Sequence, residues 1–367
     1  MTPAHTAAAL VSANLASRLT ELAAGLTTAE CWPGQQFDLL RDCGVLGWTI
    51  PEEFGGHPAS PAELLSGYCA LARGCLTTTF VLTQRNGACQ RIAQSPNVAL
   101  KHELLPKLAH GELFATVGIS HLTTSRQHQG APAVQATMVG ESVELTGEVP
   151  WVTGAAHAQL IVTGGAFADG RQILVAIPTD APGVAISAPA CLLALSASQT
   201  SPVLLERVRL DPRWIVQTPA QNVMQQGPNV STGSLSTSAL ALGLAWAAQD
   251  AIEGEAQRRP PLIPIAQSLR HELKQLEHDL LAQATPDGCG PAAGANESLR
   301  TRANSLVLRS TQALMAASKG AGFVSGHFAE RAAREALFFL VWSCPQPVVS
   351  ANLREFAGLP QRDGPAA

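Results

Sequence analysis

Four short stretches hold the side chains whose types and spacing could do chemistry. EALFFLVWSCPQPV, residues 335–348, ends an apolar run on Trp342, Ser343 and Cys344 just before Pro345 and Pro347. SHLTTSRQHQG, residues 120–130, gathers Ser120, His121, Arg126 and His128. An imidazole titrates near neutrality, so His121 is a candidate base, and the competing reading is a solvated loop histidine. PWVTG supplies Trp151 and Thr153, a ring and a hydroxyl that could meet a ligand or simply belong to a sheet. EAQRRPP supplies Arg258 and Arg259; a guanidinium donates bidentately to a diphosphate, or it caps a helix end in solvent.

Ser343 has a hydroxyl pKa far above neutrality and no His or carboxylate beside it in sequence, so it is not a ready base. Cys344 could act as a nucleophile, yet a thiol on an apolar helix end without a His or Lys neighbour reads as packing. His271 and His278 stand seven apart on one helical pattern, two turns from each other, which does not favour a shared metal. His327 reads as a helix-start residue. No metal site is expected.

The elements that must position these residues follow from periodicity. Apolar residues return every three or four positions from about residue 8 to 112, as in ANLASRLTELAAGL and PAELLSGYCALARGCLTTTFVL. Between 113 and 215 the period falls to two, in VQATMVGESVELTG, AQLIVTGG, RQILVAIPT and SPVLLERVRL, with a turn expected at Gly147 inside SVELTGEVPWVTG. Helical periodicity returns after about residue 230 in three long segments, interrupted by PDGCGPAAGAN. The expected fold is α+β and multidomain: an all-α domain over 1–112, a β-barrel or sandwich domain over 113–215 and a helical bundle over 216–367.

Composition narrows the function. The 367 residues are 46% hydrophobic and 14% charged, with formal net charge −4, a balance that suggests surface covered by another subunit and argues against nucleic acid. Eight cysteines without a Cys-x-x-Cys pair, and no apolar run of membrane-spanning length, point to a reduced cytoplasmic protein.

In order along the chain, LRDCGVLGWTIPEEFGG (40–56), LKHELLPKLAHGEL (100–113), WVTG (151–154), VAIPTDAPGVAIS, LERVRLDP (205–212) and GAGFVSGHFAERAAREALFFLVWSC (320–344) resemble the acyl-CoA dehydrogenase family over about residues 35–350. The resemblance implies an N-terminal helical domain, a middle β domain and a C-terminal four-helix bundle. It also implies FAD lying between the β domain and the bundle, with Ser120, Trp151 and Thr153 at the flavin and Arg258 reaching the diphosphate of a neighbouring subunit. An acyl thioester or related small molecule is the implied substrate, a homodimer or homotetramer the implied assembly, and an electron-transfer flavoprotein a candidate acceptor.

The chain departs from the family where the chemistry is done. Counting without gaps from Gly322 and Arg334 puts Ser343 on the family's glutamate base and Trp342 on its tyrosine. The loop rich in Gly and acidic residues is represented by 120–130, the substrate-side arginine falls near Ser234, and an adenine-contacting glutamine corresponds to Ala316. Asp250 ends the first C-terminal helix, too far along to replace the base. Three readings therefore stand: a flavin oxidoreductase with a different base such as His121, a flavin-dependent monooxygenase or oxidase, and a non-catalytic partner of an active homologue.

Overall fold

A computed structural model describes residues 11, 13–123, 131–226, 232–284 and 294–360. Among the described residues five helices precede the sheet: α1 (Ala13–Ala23), α2 (Gly34–Asp42), α3 (Pro61–Gly74), α4 (Leu76–Ala93) and α5 (Val98–Ala109). The stretch 61–82, expected as one helix, is two. Extended backbone at Cys75 (φ −154°, ψ 107°) ends α3 and caps α4, with the Cys75 sulfur accepting from the Thr78 amide. Ser60 starts α3 through a capping box with Glu63, and Asn97 caps α5 by accepting from the Leu100 amide.

The β domain holds β1 (Ala115–Val117), β2 (Val134–Val139), β3 (Ser142–Val152), β4 (Leu160–Ala166), β5 (Gln172–Pro178), β6 (Val184–Ile186), β7 (Ser201–Leu210) and β8 (Ile215–Ala220), with a single helical turn, α6 (Ser120–Thr123), after β1. The sheet order is β6-β7-β3-β2-β4-β5-β8, with β1 parallel to β4. The turn expected at Gly147 is absent: β3 runs unbroken from Ser142 to Val152. Gly147 instead lies at φ +142° where the Ala133 carbonyl approaches so closely that a Cβ would sit 2.1 Å from its oxygen. The register slips opposite it, at Arg207 on β7, whose φ is +53°. β8 continues to Ala220, beyond the boundary expected at 215.

The bundle comprises α7 (Thr232–Arg258), α8 (Ile263–Ala284), α9 (Ala295–Gly322), α10 (Phe328–Leu337) and α11 (Gln346–Phe356). Pro345 and Pro347 do more than halt the apolar run, because Pro345 is the N-cap of α11 and Pro347 occupies its first turn, where a missing amide costs nothing. His327 caps α10, its Nδ1 accepting from the Ala329 amide at 3.1 Å.

Three apolar cores hold these layers together. The largest runs without a break through α1–α4 and the bundle, joining Leu65, Leu71 and Leu76 to Leu240, Leu244, Leu273, Leu306 and Phe339. A second packs Ala88, Ile92, Leu104 and Leu108 of α4 and α5 onto Leu160, Val162, Leu174 and Ala176 of the sheet. The third fills the other side of the sheet with Val149, Ile173, Val175 and Val203. No helix among the described residues is long and apolar enough to cross a membrane.

α3 and α7 meet at backbone contact. A Cβ on Gly243 would lie 2.4 Å from the Cys69 carbonyl oxygen and 2.7 Å from Ala72 Cβ. Beside it, Arg73 grips Asp250 through two bonds of 2.6 and 2.5 Å. Gly243→Ala is expected to lower unfolding free energy by about 1–3 kcal/mol through overpacking, read from the shift in urea midpoint at constant slope; an unchanged midpoint would show that the helices separate freely.

Candidate functional site

The expected site residues of the β domain are brought together where β1 and β3 end. Thr116 of β1 donates from Oγ1 to the Thr153 carbonyl at 2.7 Å, and Thr163 of β4 donates to the Gly118 carbonyl at 2.5 Å. These bonds fix the backbone from Gly118 into α6 against the segment that follows β3. Thr153 is buried, its Oγ1 3.1 Å from Thr200 Oγ1, which lies 2.9 Å from Ser198 Oγ. Three hydroxyls sharing two contacts leave one hydrogen over to donate elsewhere.

Ser120 begins α6 with its Oγ buried and without a hydrogen-bond partner. His121, expected in a loop, is instead buried on that turn, and Nε2 lies 3.0 Å from the Gly164 carbonyl. A carbonyl accepts only, so Nε2 carries the proton and Nδ1 keeps its lone pair, and Nδ1 is buried without a partner. Burial lowers the His121 pKa, opposed in part by the Gly164 bond, so the ring is neutral. Arg126 and His128 lie outside the described residues, as do the side chain of Ser234 and Cys289.

Trp151 is 51% exposed, which rules out the reading of a sheet-core ring. The conformation just beyond it depends on a residue that periodicity does not reveal. Gly154 takes φ +67°, and a Cβ there would meet the Trp32 ring at 2.7 Å. Trp32 in turn stacks on His157 at 4.0 Å and 10°, while His157 Nε2 pairs with Gln199 Oε1 at 2.9 Å and Gln199 Nε2 donates to the Cys31 carbonyl at 3.0 Å. This clamp sets the N-terminal segment against the β domain beside Thr153, with a lone tryptophan as its only sequence signal.

On the bundle, Arg258 ends α7 with its side chain 79% exposed and only a 3.6 Å ion pair to Glu255. Arg259 is engaged inward, with Glu255 at 2.6 Å and with the Ala317 carbonyl, so Arg258 is the more exposed cation of the pair. Asp250 is taken up by Arg73.

The chain leaves α10 through one 3-10 turn, Phe338–Leu340, and reaches Ser343 at φ +45° with that residue exposed. Trp342 stacks on Phe338 at 5.0 Å and 15°, and Phe80 of α4 meets both rings edge-on at 4.9 Å. Burial pushes the Cys344 thiol up, against weaker lowering by Arg300 and a bond to Asn304, so it is not an activated nucleophile. No hydrogen bond or ring contact among the described residues joins this corner to Ser120, His121 or Thr153.

Glu335 is the buried carboxylate that the sequence reading passed over. It sits on α10 in a narrow crevice with Arg73, Cys75, Thr77 and Arg331, and burial pushes it up to about 7, with Arg331 at 3.9 Å opposing. It faces the α3–α4 junction, eight positions before Ser343. Among the described residues no cluster of three metal-ligating side chains is present.

This architecture and these motifs agree with known proteins. The sequence profile for the acyl-CoA dehydrogenase N-terminal domain matches residues 4–112. A probable acyl-CoA dehydrogenase of Bacillus subtilis is 28% identical over 235 residues, 62% of this chain and 61% of that protein. Residues 4–112 thus match the acyl-CoA dehydrogenase N-terminal domain, and the chain is similar to acyl-CoA dehydrogenases beyond it. It spans about six-tenths of the length of that relative. Glutaryl-CoA dehydrogenase from Mycobacterium smegmatis, solved in complex with FADH2, shares the fold at a TM-score of 0.81 and 18% identity, over 98% of this chain and 95% of that one. The FMN-bound form of TdsC, a dibenzothiophene monooxygenase from Paenibacillus sp. A11-2, shares it at 0.81 and 18%, over 98% and 99%. The acyl-CoA dehydrogenase fold thus carries two buried, unpaired polar atoms on α6 of the β domain and a bundle corner with Ser343 exposed.

His121 and Glu335 make opposed contributions to stability against pH. His121 resists protonation when folded, so the unfolded chain takes the proton first and stability is lost as pH falls through the ordinary value of 6.5. Glu335 is raised when folded, so its contribution is complete below the ordinary value of 4.5 and is lost as pH rises towards about 7. Urea midpoints taken across this range should show His121→Gln losing less stability on acidification than the unsubstituted protein, and Glu335→Gln losing less on alkalinisation. Parallel curves for either variant would refute the corresponding burial.

Proposed function

We propose that the protein is an FAD-binding oxidoreductase of the acyl-CoA dehydrogenase type that acts on an acyl thioester or related small molecule. The observation that carries this reading is the pair of buried, unpartnered polar atoms, Ser120 Oγ and His121 Nδ1, on the turn after β1, a strand bonded to the Thr153 carbonyl. Buried polar atoms cost free energy until something meets them, and the polar edge of a flavin has the donors and acceptors to do so. Trp151 offers an exposed ring for stacking, and Arg258 an exposed fork for a diphosphate. When bound, a flavin supplies a two-electron acceptor.

The chain's own residues would hold it and shape the cavity. Ser120 and Thr153 would donate along its edge, Arg258 would reach the diphosphate of a second subunit in a homodimer or homotetramer, and Trp342 with Ser343 would line the substrate side. Ser343 cannot remove a proton α to a thioester, since its hydroxyl has no base beside it. His121 is the neutral imidazole with a free lone pair, and Nδ1 is the atom that would accept a proton.

A second reading, a flavin-dependent monooxygenase or oxidase, is favoured by the same missing carboxylate, because oxygen chemistry at a reduced flavin requires no α-proton base. The fold shared with a dibenzothiophene monooxygenase agrees with it. Anaerobic bleaching of the flavin by acyl thioesters marks the first reading, and product oxygenation or peroxide formation marks the second.

Purified protein is expected to show oxidised-flavin absorbance, and Arg258→Ala is expected to weaken flavin retention about 10- to 100-fold, the loss of a charge-assisted contact of roughly 1.5–3 kcal/mol. A colourless protein that cannot be reconstituted with FAD would overturn both readings and leave a partner-subunit role.

A further inference from the structure

The corner that carries Trp342 and Ser343 is held from behind by two side chains of α9. Arg300 Nη2 donates to the carbonyls of Phe339 at 3.2 Å and Trp342 at 3.0 Å, and Asn304 Nδ2 donates to the Phe339 carbonyl at 3.0 Å. These carbonyls need outside donors. After the 3-10 turn, the amides of Val341 and Trp342 both return to Phe338, and the positive φ at Ser343 ends the helical path.

Arg300 is an unusual choice for that task. It is 1% exposed, and among the described residues no carboxylate pairs with it, while Nε and Nη1 have no partner. Burial lowers its pKa to about 10. The fully buried Arg85 differs, since its terminal nitrogens meet the Leu46 carbonyl, Asn86 Oδ1 and the Leu108 carbonyl. A buried cation with no carboxylate partner is costly where an apolar side chain of similar volume would pack, so its retention needs a contact that an apolar side chain cannot make. The two corner carbonyls, three residues apart in sequence, are that contact. Trp342 then transmits the fixed backbone outward through its stack with Phe338 and its edge contact with Phe80.

We propose that Arg300, assisted by Asn304, is a positioning residue: it fixes the backbone at Phe339 and Trp342 and thereby the wall that Trp342 and Ser343 present to a substrate. The role of that wall rests on the functional reading above, whereas the hold on the backbone does not.

The test joins hydrogen exchange, followed by mass spectrometry over residues 338–345, with steady-state kinetics on whichever thioester the unsubstituted protein turns over. Arg300→Met is expected to raise amide exchange across the corner about tenfold or more while β3 and α7 keep theirs, and to raise KM about tenfold with kcat within about threefold. Arg300→Lys, which keeps the charge on a shorter side chain, is expected to fall between, and it carries the test alone if Arg300→Met does not fold. Unchanged exchange at the corner overturns the proposal. Faster exchange with unchanged KM also overturns it, because Arg300 would then be structural only. Exchange needs no turnover, so an inactive, colourless protein would sink the functional reading while the hold of Arg300 on the corner is still decided.

Discussion

The approach of α7 to α3 is the constraint on which the rest of the molecule depends. At Gly243 the two helices touch through backbone, and the apolar core that surrounds this contact is continuous from the first helices of the chain to the last turn of α10. The N-terminal helices and the bundle are therefore one packed body, although more than a hundred residues of sheet separate them in sequence. Only with that body closed do Phe80 of α4 and Trp342 meet. Only with α4 and α5 seated on the sheet does the end of β1 lie where Ser120 and His121 are buried.

Within the β domain, polar order is built from short hydroxyl side chains rather than charges. Thr116, Thr153, Thr163, Ser198 and Thr200 bind one another or nearby carbonyls, and each is buried. Such groups fix strand ends at little desolvation cost compared with ions. The buried side-chain atoms left unmet in the described β domain are Ser120 Oγ, His121 Nδ1 and Ser201 Oγ, two of them on the single turn α6. Neutrality of His121 follows from the same surroundings, since burial outweighs the Gly164 bond and no carboxylate among the described residues favours the imidazolium.

The layered order of the fold was legible in the sequence because periodicity reports which face of an element is buried, and each strand read from alternation is present. Local breaks were less legible. The division at Cys75 leaves the apolar pattern of 61–82 undisturbed, and Gly147 carries the same sequence signal whether it turns the chain or admits a close carbonyl. Site residues were legible only where a motif marks them. Trp151, Thr153 and Arg258 could be singled out as candidates because they fall in such motifs. Glu335 and Arg300 could not, because a charge on a helix shows its burial only when the partner helices are known. Trp32 was missed for a related reason, since its partners His157 and Gln199 lie far along the chain.

Glu335 and Arg300 explain together why the apolar run before Ser343 can be so nearly free of charge. The segment from α10 to the corner is flanked by buried ionisable groups of opposite charge. Glu335 lodges its start in the crevice at the α3–α4 junction, and Arg300 gathers the carbonyls at its end. Between those points Phe338, Phe339 and Trp342 need supply only packing, which tolerates sliding and rotation more readily than directed hydrogen bonds do. A purely apolar segment would be held in the bundle without being held in register. Of the two groups Arg300 alone bonds to the corner backbone, and a fixed backbone there is what the proposed wall at Trp342 and Ser343 requires.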